Sequence, residues 1–384
     1  METRKIGKTG IEASIFGFGA MRLPRTADGE VDREETIRMT RYAIDNGVTY
    51  VDTAYPYEGG LSEEILGDAL ADGYRERITL TTKSPIWDVH SEADFDRILD
   101  EQLAKLKVSY VDCYLCHALA PESWKELKEI GILNCFARAK ESGKVRNIGF
   151  STHTDTAGFK ELIDDYDWDL AQVQMNYLDV ENQVGLEGIR YAGQKGLSVI
   201  VMEPLRGGRL ANPPKEVFEV FGSQYSPVEW AFNFLRGIPE VAVVLSGVSS
   251  MEQLKDTMRI FTEQNIDPDV HKEVYLRAKE AFDAKMKVPC TACRYCMPCP
   301  AGVNIPRAFG LWNDMALFDD SFRQEQYEAL RGTPAEATNC VECRACVEKC
   351  PQHIDIPEML KMAHEELTGP RKGNAFSWAS NISD

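Results

Sequence analysis

Eight short apolar or β-branched runs, each followed by a longer amphipathic stretch, occupy residues 15–262 and leave few architectures open to this chain. The candidate strands are 15–20, 48–53, 78–83, 111–117, 145–151, 170–175, 198–203 and 241–246. Helical periodicity falls between and after them, at 34–46, 61–72, 92–107, 122–142, 156–165, 183–195, 226–236 and 249–262. Strict alternation of this kind implies parallel strands joined by helical crossovers. Eight units within residues 1–285 predict a (β/α)8 TIM barrel, which needs ~250 residues. The segment Arg4 to Ala13, turning at Lys8-Thr9-Gly10, reads as a hairpin closing the barrel bottom. An open doubly wound sheet would require G-x-G-x-x-G after its first strand. Gly17-Phe-Gly-Ala-Met-Arg22 has neither the third glycine nor an immediate helix.

A barrel of this type carries its chemistry where strands end on the C-terminal face. The ends of three successive candidate strands read Asp52-Thr-Ala-Tyr-Pro-Tyr57, Lys83 and His117. They deliver a carboxylate, a phenol, an ammonium and an imidazole to one rim. Reduction of a carbonyl needs such a set, because the developing alkoxide must receive a proton. A phenol of pKa ~10 is a poor acid unless a cation favours its phenolate. Opposite charges ~4 Å apart at an effective dielectric of ~20 interact by ~4 kcal/mol. That is enough to lower a tyrosine by roughly two units before burial opposes it.

These residues, with Asn147-Ile-Gly-Phe-Ser151, Gln172-Val-Gln-Met-Asn176, Met202-Glu-Pro-Leu-Arg-Gly-Gly208 and Ser246-Gly-Val-Ser-Ser250, resemble the aldo-keto reductases along the whole barrel. The resemblance implies that Tyr57 is the general acid, with Asp52 and Lys83 tuning it and His117 orienting the carbonyl. It selects Tyr57 over Tyr55, since the family's acid stands five residues after its Asp. It further implies NAD(P)H as cofactor, with Ser151, Gln172 and Asn176 near the nicotinamide and Gly247, Ser249 and Gln253 at the adenosine end. Ser246 to Gln253 contains Glu252 and no basic residue, which leaves NADH and NADPH undistinguished; Arg206 and Arg209 are other candidates for a phosphate. His153 reads as a contact to the following helix, and Cys113 and Cys116 as core residues on opposite strand faces. Trp87 and Trp124 are candidate pocket walls or packing residues.

The last hundred residues obey a different rule. Cys290, Cys293, Cys296 and Cys299 precede Pro300, and Cys340, Cys343, Cys346 and Cys350 precede Pro351. The repeat extends past the thiols, Val303-Asn-Ile-Pro306 paralleling Ile354-Asp-Ile-Pro357. Three cysteines at C-x2-C-x2-C followed by Cys-Pro resemble the bacterial ferredoxin pattern for [4Fe–4S] clusters, in which the fourth cysteine serves the other cluster. This implies two [4Fe–4S] clusters, held by Cys290, Cys293, Cys296 and Cys350, and by Cys340, Cys343, Cys346 and Cys299. Two zinc sites are the simpler alternative, although zinc rarely uses a third cysteine at the next step. The first run spaces its last cysteine by two residues where the pattern has three, which opens the question of Cys299's partner. Helical patterns between the runs predict a helical ferredoxin-like domain.

The expected organisation is a barrel at 1–285, a ferredoxin-type domain at 286–367 and a tail or strap at 368–384. A net charge of −18 repels phosphate backbones and argues against nucleic acid as a partner. No run approaches a membrane span and the N-terminus lacks an export signal, so a cytoplasmic protein is expected, its clustered thiols binding metal rather than forming disulfides. The expected function is reduction of a small-molecule carbonyl, or oxidation of an alcohol, with NAD(P)(H). The alternative is a cluster-mediated electron-transfer enzyme fed by a ferredoxin-like partner.

Overall fold

The structure, a computed structural model, describes residues 1–263, 271–290 and 294–370. Ten strands follow in chain order: β1 (Thr3–Lys5), β2 (Glu12–Ser14), β3 (Phe16–Gly19), β4 (Tyr50–Asp52), β5 (Thr79–Ser84), β6 (Val111–Cys116), β7 (Val145–Thr152), β8 (Leu170–Gln174), β9 (Val199–Met202) and β10 (Val241–Ser246). β1 and β2 form the expected antiparallel hairpin. β3 to β10 pair in sequence order and close, β10 lying parallel to β3 with Val244 opposite Phe16. This is the eight-stranded barrel expected from the alternation. Its strands are buried on both faces, as parallel strands covered by helices must be, and β5, β6 and β10 contain no exposed residue.

Gly17 explains the incomplete glycine motif in packing terms. A Cβ there would come within 2.6 Å of Val243 and 2.7 Å of Leu245, inside the filled barrel. The hairpin closes the end opposite the strand termini: the Arg4 guanidinium donates to the carbonyls of Arg236, Ile238 and Val241 at 2.6–3.1 Å. The single helix expected over 122–142 is two, Pro121–Glu129 and Ile132–Glu141. The break is at Gly131, whose φ of +90° is left-handed and costs a glycine nothing.

The chain divides into two compact units. Of the described residues, the first holds 1–207 and 228–263. The second holds 208–227, which follow β9, together with the described residues from 271 onward. The domain line drawn at 285 therefore falls inside the second unit, beyond the helix Lys272–Asp283. That unit is helical among its described residues. Helices Ile305–Phe318, Phe322–Glu328 and Ile356–Thr368 surround a core of Val303, Phe309, Trp312, Tyr327, Ile354 and Leu360. The repeated Asn/Asp-Ile-Pro begins a helix each time, with proline in the first turn, where its missing N–H is harmless. The tail or strap expected beyond 368 lies, from 371, outside the described residues. No helix among the described residues is long and apolar enough to cross a membrane.

Candidate active site and cysteine cavities

Tyr57 opens a short 3-10 turn (Tyr57–Gly60) just past the end of β4, and three successive left-handed residues, Glu58, Gly59 and Gly60, bend that turn into the helix Leu61–Ala69. Lys83 stands near the end of β5, with no exposed surface, and its ammonium donates to Asp52 Oδ1 at 2.6 Å, to the Thr53 carbonyl at 2.7 Å and to the Tyr57 hydroxyl at 3.3 Å. His117 follows β6 and meets the Tyr57 ring edge-on at 5.8 Å between centroids. The structure thus brings Asp52, Tyr57, Lys83 and His117 together. Tyr55 lies elsewhere, donating to Glu101 at 3.1 Å, with the Lys105 ammonium over its ring.

Burial works against the Lys83 cation, but Asp52 and Tyr57 outweigh it and hold the ammonium above the ordinary lysine range. For Tyr57 the expected opposition between burial and Lys83 falls to burial. Burial raises the phenol and Lys83 lowers it, with Asp52 and Glu203 adding to the rise, so the hydroxyl is a weaker acid than free tyrosine. The cause is desolvation, which a charge-pair estimate leaves out. His117 is pushed down to about 3 by burial, then by Lys83 and His153, and is a neutral imidazole. Its Nδ1 is buried without a hydrogen-bond partner.

The residues expected around a nicotinamide line the same strand ends. Ser151, on β7, is buried and accepts from the Ala118 amide at 2.9 Å. Gln172, on β8, is buried with Oε1 unpaired. Asn176 accepts the Leu178 and Asp179 amides at 3.0 Å and donates to the Asp179 carboxylate at 3.0 Å, an Asx turn fixing the loop after β8. After β10, Gly247 lies beside Arg22, and Gln253 Oε1 accepts from the Ser249 amide and hydroxyl at 3.0 and 3.1 Å. Ser250 caps the helix Met251–Thr262, whose free amides face this loop and suit an anion. The unpaired Gln172 oxygen and this helix terminus fit a dinucleotide.

Some side chains sit differently from expectation. Trp124 is packing: it is 2% exposed, its ring 4.9 Å from Trp168, and its indole N–H donates to Asp165. Trp87 is 49% exposed and its ring lies 5.3 Å from that of His117. His153 pairs through Nδ1 with Gln183 Oε1 at 3.0 Å. Arg206 stands 3.6 Å from Asp179, while Arg209 pairs with Asp314 at 3.3 Å inside the second unit. Arg22 and Glu203 escaped the sequence reading. Glu203 directly follows β9, and its position at a strand end was the available signal.

In the second unit the thiols line two cavities. Cys299, Cys340, Cys343 and Cys346 line one, together with Cys296. Cys290, Cys296 and Cys350 line the other, walled by Ile305, Phe309 and Ile354. Cys293 lies outside the described residues. Cys299 thus shares a cavity with the second run and Cys350 with the first, the crossed arrangement that a two-cluster module uses. Among the described residues no three Cys, His, Asp or Glu side chains gather tightly enough for a single ion. The thiols lining the two cavities are the donor type that an iron–sulfur cluster takes. The remaining cysteines, Cys113, Cys116 and Cys135, are buried free thiols.

Two family models match the chain: the aldo/keto reductase family over residues 16–275 and a 4Fe-4S dicluster domain over 289–354. The aldo-keto reductase YhdN of Bacillus subtilis is 29% identical over 274 residues, 67% of this chain and 77% of that protein. L-galactose dehydrogenase of Arabidopsis thaliana is 27% identical, covering 68% and 89%. Among solved structures, aldo-keto reductase AKR11C1 of Bacillus halodurans superposes with a TM-score of 0.62 at 23% identity, covering 73% of this chain and 96% of that one. An aldo-keto reductase from Klebsiella pneumoniae in complex with NADPH gives 0.60 at 19%, covering 72% and 96%.

Proposed function

Since the chain belongs to the aldo/keto reductase family and carries a 4Fe-4S dicluster domain, we propose that it reduces a small-molecule carbonyl, or oxidises the corresponding alcohol, with NAD(P)(H). The observation that carries this reading is the Lys83 ammonium held between the Asp52 carboxylate at 2.6 Å and the Tyr57 phenol at 3.3 Å. A bound nicotinamide supplies the hydride. Tyr57 donates the proton to the forming alkoxide, and Lys83 stabilises the phenolate left behind. Asp52 keeps Lys83 charged and in place. His117, neutral, offers an imidazole N–H to the carbonyl oxygen and so orients it. Ser151, Gln172 and Asn176 hold the nicotinamide end, and Gly247, Ser249 and Gln253 the adenosine end.

The Klebsiella structure holds NADPH, and the helix terminus after Ser250 favours a dinucleotide phosphate here. L-galactose dehydrogenase and a 6-dehydroglucose reductase of Novosphingobium aromaticivorans, 30% identical over 225 residues, act by name on sugars. The half-exposed Trp87 beside His117 suits the CH-rich face of such a molecule, so hydroxylated carbonyl compounds are the first class to assay.

Two [4Fe–4S] clusters are proposed, one on Cys290, Cys293, Cys296 and Cys350 and one on Cys299, Cys340, Cys343 and Cys346. Such clusters supply one-electron chemistry, whereas hydride transfer moves two electrons together, so we assign them a structural or docking role. Eight thiols in this pattern suit a reducing, cytoplasmic setting. A ferredoxin-like partner belongs to the alternative, and an anaerobic redox titration separates the two: clusters untouched by NAD(P)H or reduced ferredoxin, in an enzyme that turns over, support the structural role.

The catalytic reading is tested by Tyr57→Phe. Loss of the proton donor lowers kcat by about 10²–10⁴-fold while nicotinamide binding, followed by fluorescence, persists. Parental turnover in this variant would refute the assignment.

A further inference from the structure

Glu63 is a buried carboxylate with no part in the proton transfer just described. It lies in the first turn of the helix Leu61–Ala69, with 0% exposure, while Glu64 beside it faces solvent. Its Oε1 accepts from the Thr82 hydroxyl at 2.7 Å and from the Gln102 amide at 2.6 Å. The same Gln102 nitrogen reaches the Lys83 carbonyl at 3.1 Å, and Gln102 Oε1 accepts from the Tyr114 hydroxyl at 2.7 Å. Glu63 Oε2 is buried without a hydrogen bond, with the Lys105 ammonium 3.8 Å away. An ionisable group in such a place is costly unless it does something an apolar residue cannot.

Its placement says what that is. Thr82 and Lys83 are neighbours on β5 and point to opposite faces, Lys83 into the barrel and Thr82 toward the helices. The turn Tyr57–Gly60 runs directly into the helix that carries Glu63. Glu63 therefore ties the segment bearing the phenol to the strand bearing the ammonium, from behind. Ser62 does the same on the adjoining strand end, its hydroxyl 2.8 Å from Thr53 Oγ1 and donating to the Ala20 carbonyl at 2.8 Å. We infer that Glu63 is a positioning residue for carbonyl reduction, acting through β5 and Lys83 rather than on the reacting atoms. This rests on the assignment of Tyr57 and Lys83 made above.

The charge matters as well as the shape. Glu63 is faced by Thr82, Gln102 and Lys105, with Lys83 across the strand; Lys83 is faced by Asp52 and Tyr57, and Tyr57 by His117 and Glu203. Burial raises the Glu63 carboxyl, while the Thr82 and Gln102 donors and the Lys105 ammonium favour its anion. A negative charge behind Lys83 opposes phenolate formation, so removing it lets Tyr57 lose its proton at lower pH.

The test compares Glu63→Gln, Glu63→Ala and Tyr57→Phe in the full-length, iron-loaded protein, with a carbonyl substrate and NAD(P)H. Glu63→Ala is expected to lower kcat about 10–100-fold, the scale of a ~1 Å misplacement, with the nicotinamide Kd unchanged. Glu63→Gln keeps shape and acceptor, and the alkaline limb of its kcat profile is expected to move down by about half a pH unit. A merely structural glutamate would not move that limb. An unmoved limb in Glu63→Gln, or a loss carried by nicotinamide Kd alone, overturns the inference; if Glu63→Ala does not fold, Glu63→Gln decides by itself. Full turnover in Tyr57→Phe would instead defeat the reading beneath it, whereas an inactive Tyr57→Phe beside parental Glu63 variants defeats the inference alone.

Discussion

At the barrel rim, Asp52, Tyr57, Lys83 and His117 stand on or just after strands whose backbone hydrogen bonds and packing hold them. In the second unit the thiols stand on short irregular segments, and the only helix within either run of described cysteines is Ala345–Glu348. Cys290, Cys296, Cys299, Cys340, Cys346 and Cys350 pack only partly buried at the margin of that unit's core. The first site is built on regular strands. The second is expected to depend on what it binds, because irregular segments have fewer backbone hydrogen bonds of their own to offset their chain entropy.

The largest expected effect tests that contrast. Chelating the iron anaerobically from the full-length protein should unfold much of the second unit while the barrel keeps its transition. Hydrogen exchange reads this directly: amides of Ile356–Thr368 and the cysteine segments lose protection, those of β5 and β6 retain it. Iron analysis of the starting protein should find about eight atoms per chain. Zinc near two with little iron would remove the clusters, and unchanged protection after chelation would remove the contrast.

A smaller but still severe effect is expected at the rim. Lys83→Met leaves Asp52 buried and without its 2.6 Å partner. Breaking a buried pair by removing one member costs about 3–5 kcal/mol, visible as a lower denaturation midpoint of the barrel transition. Turnover should fall by about 10²–10⁴-fold, since the phenol loses the ammonium that favours its anion. Lys83→Met at parental midpoint would mean that the rim is less preformed than its geometry shows.

What could be read from residues alone divides along the same line. The barrel strands were legible because β-branched runs alternate with amphipathic ones, and Asp52, Lys83 and His117 because they stand at or beside strand ends; Tyr57, past the end of its strand, came from the family resemblance. That Cys299 lines a cavity with the second run and Cys350 one with the first is the placement that the resemblance to the ferredoxin pattern implied. Other features depend on the folded surroundings. Ser62-Glu63-Glu64 reads as a solvated helix start, and only packing shows that Glu63 is inside. Trp124 differs from Trp87 by its neighbours, not by local sequence. The break at Gly131 lies in an apolar pattern that continues across it. That residues 208–227 fold with the second unit follows from tertiary partners such as Asp314 for Arg209, more than a hundred residues away. That Lys83 favours the Tyr57 phenolate and that burial opposes it were both legible; which of the two prevails depends on how far the folded surroundings desolvate the phenol.

The smallest expected effect concerns His117. Its pKa is pushed from 6.5 to about 3, by burial first and then by Lys83 and His153. A folded pKa below the unfolded one means that the unfolded chain takes up the proton more readily. This residue's contribution to stability is therefore complete above about pH 6.5 and is lost as pH falls from there toward 3. Through that window the folded enzyme keeps a neutral imidazole, so kcat for carbonyl reduction should show no acid limb near 6.5 arising from His117. Recording kcat against pH alongside the imidazole ¹⁵N shifts of the full-length protein checks both statements. An inflection near 6.5 shared by the rate and the His117 resonance would place a charged imidazole at the rim, and the preformed, desolvated character of the barrel site would fail with it.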